Sequence, residues 1–546
     1  MDLNKNGKKM ITVLKKYILI WNWYIALFSI MLAASFVLGK NTVALQDTYF
    51  LMKTFTKDIL KIIGIAVFIY FLLLIVMAII SKRGIVLEPR HANKKVFFIS
   101  WLLIFICYIP YYVAFFPSIL CPDAHLQLQQ IEGVAPLSNH HPVLHTMLIS
   151  ICLKIGEILK FDHETSISVY SILQMLIVSC IFAYAVYFLY KRGIRKWMVI
   201  VSLLYFALNP VHGYYSVYMT KDVLFGVFVL LFIIKLINMI DINGDSLKSK
   251  SGVITFTLTI LPVVFLRNNG IYLILFTAPF LILCTFYLRK DWIRMTAIFL
   301  CTILFVVIVQ GPVFELLKIK KSAIGESLSL PIQQIGRVIA QEGNISEEQT
   351  EAIDRIIPIA EIKERYAPGY ADPIKFSENF NKNVIEENKL KYFSVWASLF
   401  IQNPGIYTEA FLCSNVGYWY PEKSDWVSWV FFLERQRQQG IPTYMPDTKI
   451  NRVMIQFMPE KLREKYPIFT FLQSLGYMFW YVIFAMIMCM HSGNKKYIIA
   501  LLPLAALWLS LVIASPVNCE TRYMYSFFTA LPLTIMLMIT KRSHLS

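Results

Sequence analysis

Eight side chains able to exchange a proton or hold an anion stand in short polar breaks between long apolar runs: Asp123, His140, His141, Lys221, Asp222, Arg267, Glu520 and Arg522. An acid with imidazoles nearby suits general-base work, metal ligation or the orienting of a hydroxyl, because these groups trade protons or ligate cations near neutral pH. A lysine and two arginines suit an anion, and guanidinium, always charged, can grip a phosphate through two hydrogen bonds at once. Charges beside lipid cost roughly 2.5–3.5 kcal/mol each on insertion scales, so a set of them on one membrane face marks a working site.

Each group also has a plainer structural reading. In Cys121-Pro122-Asp123-Ala124-His125, Asp123 can cap the helix running into Leu126-Gln127-Leu128-Gln129-Gln130, while Ser138-Asn139-His140-His141-Pro142, with His145 beyond it, can simply end a loop. For Asp123, His140 and His141 the catalytic and structural readings stand side by side. In Thr220-Lys221-Asp222, Thr220 or Asp222 can cap a helix and Lys221 can snorkel to headgroups. The functional reading is preferred there: Lys221 meets a phosphate, and Asp222 orients it or an acceptor. Arg267-Asn268-Asn269-Gly270 reads as a tight turn relieved by Gly270, yet Arg267 suits anion binding at a membrane surface. In Ser515-Pro516-Val517-Asn518-Cys519-Glu520-Thr521-Arg522-Tyr523, Glu520 and Arg522 either pair as a helix-end anchor or hold a substrate phosphate or sugar. Standard zinc spacing is missing, and Asp123 is the residue open to a divalent metal.

The elements that must carry these residues are membrane spans. With 546 residues, 57% hydrophobic, and a mean hydropathy of +0.58, the chain is too apolar for an ordinary soluble protein. Twelve apolar runs are candidates: 17–38, 59–80, 96–116, 166–190, 197–211, 222–239, 252–266, 270–288, 295–311, 471–490, 497–514 and 523–540. The first follows Lys5, Lys8, Lys9, Lys15 and Lys16 and is long enough to be a retained helix rather than a cleaved signal. With both termini cytoplasmic, the inner segments hold 23 Lys and Arg and the outer short segments 8, as the positive-inside rule expects. All eight polar side chains then fall on the outer face. The formal charge of +18 is thus explained by topology rather than by nucleic acid. Val143 to Leu159 is apolar too, but a span there would put Lys191-Arg192-Gly193-Ile194-Arg195-Lys196 outside, so it reads as an interfacial helix within a long outer loop, 117–165.

Four regions follow: 1–95, a cytoplasmic tail and two spans; 96–311, a transmembrane core; 312–470, a mainly helical extracytoplasmic domain; and 471–546, the last spans. In the third, charges of both signs and turns such as Pro368-Gly369 replace the spanning runs. Ser346-Glu347-Glu348-Gln349 has the capping-box pattern, Pro358 stops that helix, and a second helix reads from 377 to 402. Pro331-Ile332-Gln333-Gln334 and Arg337 follow the ninth span as an amphipathic connector that can also cover the site. The nine cysteines are scattered singly, most of them inside spans, and a bond between two of Cys121, Cys413 and Cys519 is open.

An outer-loop acid, basic residues on other outer loops and a domain before the last spans resemble the GT-C superfamily of integral-membrane glycosyltransferases, which includes protein mannosyltransferases and aminoarabinose transferases. More closely, Pro122-Asp123, Ser138-Asn139-His140-His141-Pro142, Thr220-Lys221-Asp222, Arg267-Asn268-Asn269-Gly270, Pro331-Ile332-Gln333-Gln334 and Glu520-Thr521-Arg522-Tyr523 look like stretches of a bacterial multi-pass family grouped with that superfamily, over residues 96 to 540. The resemblance implies a sugar donor on a polyprenyl phosphate, and it makes two spans extra at the amino end, since the acid-bearing loop here follows the third candidate span. Transfer would go to an envelope acceptor (glycan, lipid or protein) on the outer face of the cytoplasmic membrane. It makes Asp123 the base on the acceptor or a metal ligand, and Lys221, Arg267 and Arg522 the groups that neutralise the leaving phosphate. A divalent metal is open, because Ala124 and His125 follow Asp123 where several relatives have paired acids. The alternatives are a transporter or flippase of a lipid-linked or anionic solute, whose polar residues should lie at mid-membrane, and an envelope polysaccharide polymerase or ligase.

Overall fold

A computed structural model of the chain describes residues 22–44, 55–85, 87–242, 245–287, 292–321, 328–423, 430, 433 and 446–540. The two termini, expected on the cytoplasmic side, lie outside the described residues. The apolar runs fold as helices because a backbone in lipid must satisfy its own hydrogen bonds. In chain order these are α1 (Trp23–Ala44), α2 (Phe55–Arg83), α3 (Lys94–Ala114), α4 (Pro122–Ile131), α5 (Val143–Ile158), α6 (His163–Lys191), α7 (Lys196–Leu208), α8 (Pro210–Ser216), α9 (Lys221–Asp241), α10 (Lys250–Phe265), α11 (Gly270–Tyr287) and α12 (Trp292–Ile308). A smaller set follows: α13 (Ser329–Ala340), α14 (Glu347–Asp354), α15 (Ile359–Arg365), α16 (Lys382–Glu387), α17 (Lys389–Gln402), α18 (Pro404–Asn415) and α19 (Lys449–Ile455). The chain then returns to long apolar helices in α20 (Leu475–His491), α21 (Ile498–Ala514) and α22 (Tyr525–Ile539).

Among the described residues, eight helices are long and apolar enough to cross a membrane: α1, α2, α3, α6, α9, α12, α21 and α22, the last three with their adjoining turns. Two bent pairs, α7 with α8 at 49° and Pro467–Gln473 with α20 at 56°, raise the number to 10 if each is one span. The shorter apolar helices α10 and α11 stand where two of the twelve expected spans were placed. The protein is therefore a helical multi-pass membrane protein. Its hub is α9, with 78% of its apolar window buried, against 22% for α2; α6, α10, α21 and α22 pack around it. α5 packs along α6 and leaves Leu144, Met147, Ile151 and Ile155 exposed.

A second hydrophobic core, separate from that of the spans, is built by Ile332, Val338, Ile353, Ile362, Leu399 and Tyr407 from α13 to α18. It covers less of the chain than the segment 312–470. Beyond α18, Tyr418, Ile455 and Met458 join the core of the spans, and the Asn451 side chain donates to the Ala114 carbonyl at 3.0 Å. Ser346 and Gln349 form the capping box at the start of α14. The expected helix 377–402 is broken at Asn388 into α16 and α17. This domain is stitched to the segment between the last two spans: the Asn518 N–H donates to Gly369 and the Ala371 N–H to Pro516, each at 2.9 Å. Gly369 sits at φ +74°, in the left-handed region, where a Cβ would also meet Asn518 and the Cys413 carbonyl. All nine cysteines are free thiols.

Candidate functional site

Two residues of parallel strand bring the first pair of groups together. Ile119–Leu120 (β1) pairs with Tyr218–Met219 (β2), Ile119 opposite Tyr218 and Leu120 opposite Met219. Each strand runs at once into a helix: α4 begins at Pro122, with Asp123 in its first turn, and α9 at Lys221. Residues 98 apart in sequence thus share one spot, and Lys221 Nζ lies 2.7 Å from Asp123 Oδ2. Thr220 caps α9, its Oγ1 accepting from the Asp222 N–H and donating to Asp222 Oδ2 at 3.3 Å.

Around this pair the remaining breaks converge at one end of the spans. Arg522 Nη1 donates to Asp123 Oδ2 at 2.8 Å and lies 4.0 Å from Asp222 Oδ2; its Nε lies 3.7 Å from Glu520 Oε1. His141 Nδ1 accepts from Lys221 Nζ at 3.0 Å and stands 3.8 Å from Asp123 Oδ2. The His140 ring packs on that of His141, centroids 4.4 Å apart. Arg267 Nη1 is 3.3 Å from Asp222 Oδ1 and donates to the Tyr523 carbonyl at 3.2 Å, with its guanidinium over the Tyr523 ring. All eight residues singled out in the sequence therefore meet: three carboxylates, three cations and two imidazoles. Asp222 is fully buried, whereas Asp123, Lys221, Arg522 and Glu520 keep 14–21% of their side-chain surface exposed. The cluster opens to solvent on the Asp123 side and is sealed behind Asp222.

The loop bearing the imidazoles is fixed from two directions. The Asn139 N–H donates to the Lys320 carbonyl at 2.8 Å, and the Asn268 side chain donates to the Asn139 carbonyl at 2.9 Å. The turn Arg267-Asn268-Asn269-Gly270 thus supplies both a cation and a clamp. Gly270 is required by space: a Cβ there would run into the Val263 carbonyl.

Charge sets the protonation states outside the spans. Burial pushes Asp123 up, but the Lys221 ammonium and the Arg522 guanidinium outweigh it and hold the carboxyl well below the usual carboxylate range. Burial, then the Lys221 ammonium, press His141 down to about 2, so the ring is neutral and its Nδ1 can accept. Burial raises Glu520, with Asp222 adding to the rise and Arg522 opposing it.

Sequence reasoning missed the supports. His145 is fully buried, its Nδ1 2.9 Å from Gln127 and its Nε2 2.7 Å from the Tyr170 hydroxyl, which donates to Gln174. The Gln174 amide then donates to the carbonyls of Tyr215, Ser216 and Tyr218, holding the approach to β2. His145 is a scaffold residue, pressed by burial to about 3. Pro331-Ile332-Gln333-Gln334 is structural as well: Gln333 donates to the Ala367 carbonyl and accepts from the Gly369 N–H, fixing the turn stitched to Asn518. Arg337 is buried against Glu409, a partner the sequence did not suggest. For a metal the donor set does not fit. Asp123 is already engaged by two cations, His141 Nδ1 by Lys221, and among the described residues no three His, Cys, Asp or Glu side chains gather as ligands.

No curated protein and no solved structure matches the chain. A family model described as "Family of unknown function (DUF6020)" matches residues 112–545, a range that holds every residue of the cluster. By that match, over most of its length, this membrane protein belongs to the DUF6020 family.

Proposed function

We propose that the protein is a membrane glycosyltransferase of GT-C type, with about twelve spans and both termini cytoplasmic. It takes a sugar from a polyprenyl-phosphate donor and passes it to a cell-envelope acceptor on the outer face of the cytoplasmic membrane. The observation that supports this reading above the others is Asp123 Oδ2, held at once by Lys221 at 2.7 Å and Arg522 at 2.8 Å. A carboxylate there fills an anion cradle built from two cations. A donor phosphate, carrying more negative charge as its bond to the sugar breaks, competes for the same two groups.

That competition couples binding to base strength. While Lys221 and Arg522 face Asp123, its carboxyl is too weak a base to take a hydroxyl proton. Once they turn to the phosphate, its pKa rises toward the ordinary value and it can accept the proton of the acceptor hydroxyl. The sugar C1–O(phosphate) bond breaks, its electron pair leaves with the polyprenyl phosphate, and the acceptor oxygen bonds to C1. Because the contacts of Lys221, Arg522 and His141 all fall on Oδ2, Oδ1 is the oxygen that meets the acceptor. His140 and His141 shape the acceptor side, neutral His141 steering Lys221. Arg267 and Asp222 form the buried backing that keeps Arg522 and Tyr523 in place.

The test is purified protein in liposomes with labelled polyprenyl-phosphate sugars, read as release of the lipid phosphate, beside Asp123→Asn. Release that depends on the carboxylate supports transfer. Release unaffected by the substitution removes Asp123 from the role of base, and no release with any donor alongside movement of the labelled lipid between leaflets replaces transfer with transport.

A further inference from the structure

The domain of residues 328–407 has a feature that the charged cluster does not use. Its core holds a half-open cavity of about 400 Å³, within the range of small-ligand sites. The wall is almost wholly apolar: Ile332, Ile353, Ile356, Tyr392, Val395 and Trp396 contribute to it, and the charged lining residue is Lys389 at the start of α17. One side of the cavity is thus α17 itself.

The other face of α17 is also apolar and lies in the open. Leu390 is 84% exposed, Phe393 62%, Phe400 49% and Ile401 78%. At 100° per residue these four, with Ala397, fall in one stripe, and Lys389 and Lys391 flank it on either side. A bare apolar stripe between lysines is the pattern of a helix lying in a membrane surface, where rings and aliphatic chains enter the lipid and ammonium groups meet phosphate headgroups. Phe393 belongs to both faces, since it lines the cavity and is exposed outside. Placement agrees: α18, which continues α17 after Asn403, packs against the spans α1 and α21, and the Asn415 side chain donates to the Val512 carbonyl near the end of α21. The domain is tied down at span ends, beside lipid.

We propose that α17 lies on the bilayer surface and that the cavity behind it seats one hydrocarbon chain of a membrane lipid, entering past Phe393 with its headgroup at Lys389. The proposal does not depend on what the charged cluster does.

The test uses full-length protein in nanodiscs of phosphatidylethanolamine and phosphatidylglycerol doped with a phospholipid carrying a diazirine at the end of one acyl chain. After irradiation, adducts are mapped by mass spectrometry. Labelling of the peptides holding Ile356, Tyr392 and Trp396, in addition to the spans, is expected. Val395→Trp, which fills the cavity, should cut that labelling about tenfold. The outward pair Leu390→Glu with Ile401→Glu, neither of which lines the cavity, should cut it as far. Span labelling in the same sample shows that each variant is inserted, and protease resistance of residues 328–407 matching that of the parent shows that its domain is folded. Labelling confined to the spans, domain labelling unchanged in both variants, or adducts joining two copies of the chain through α17 would each overturn the proposal.

Discussion

Arg337 with Glu409 and Asp123 with its cations are two buried ion clusters in one chain, built to opposite ends. In the first, one guanidinium meets one carboxylate: Nε and Nη2 reach Glu409 Oε2 at 3.2 and 3.0 Å, Gln341 adds a bond at 3.1 Å, and the two side chains keep 2% and 9% of their surface. It is closed, and its use is to hold α13 on α18. In the second, two cations converge on a single carboxylate oxygen, the set stays partly open, and neighbouring acids are pushed in contrary directions. A closed pair locks a core, whereas a shared, half-open one can exchange partners with an incoming anion.

Breaking each cluster should fail in a different currency. Asp123→Asn should lower transfer about 10²–10⁴-fold, the usual worth of a positioned base, with a smaller loss of thermal stability in detergent than a closed pair would show, because the stranded Lys221 and Arg522 keep part of their surface in solvent. Arg337→Met should instead cost about 3–5 kcal/mol of stability by stranding Glu409, and Arg337→Met with Glu409→Leu should recover most of it, as read by thermal unfolding. Arg522→Gln should raise the donor KM about ten- to a hundredfold, the loss of a charge-assisted hydrogen bond, before it alters the acceptor KM.

Finer tests use pH. A carboxyl held below its unfolded value adds stability that is present above about pH 4 and is lost as pH falls through the folded value. Free-enzyme Asp123 therefore gives the donor kcat/KM no acid limb above about pH 4. If bound phosphate draws its cations away, kcat should show an acid limb at higher pH than kcat/KM, and coincident limbs would argue against the exchange. Glu520 has the opposite sign. Its raised pKa gives a contribution that is present below about pH 4.3 and lost as pH rises through the folded value, so Glu520→Gln should raise the melting temperature slightly at pH 7 and not at pH 4.

Much of the site could be read from the sequence because its residues sit at span ends, and span ends are marked by apolar runs and by the bias of lysine and arginine. That logic needs only the order of the breaks, so it can group Asp123, Lys221, Arg267 and Arg522 on one face without any contact. It cannot say which atoms touch. The β1–β2 ladder is two residues long on each side and leaves no periodic signal, yet it decides that Asp123 meets Lys221. Nor can periodicity separate α16 from α17, where Asn388 interrupts an otherwise helical run. The Gln333 clamp on Gly369 and the pairing of Arg337 with Glu409 join residues 36 and 72 apart through burial alone, and a single sequence carries no mark of either.

The span of sequence joined by Asp123 also governs how the protein is made. Its first counter-ion follows 98 residues later and its second 399 residues later. At ribosomal speeds of about 5–20 residues per second, the acid waits roughly 20–80 s for Arg522 after leaving the tunnel. A nascent chain arrested before Arg522 therefore pairs Asp123 with Lys221 alone, so the cradle of two cations is completed only when the segment leading into the last helix has been made.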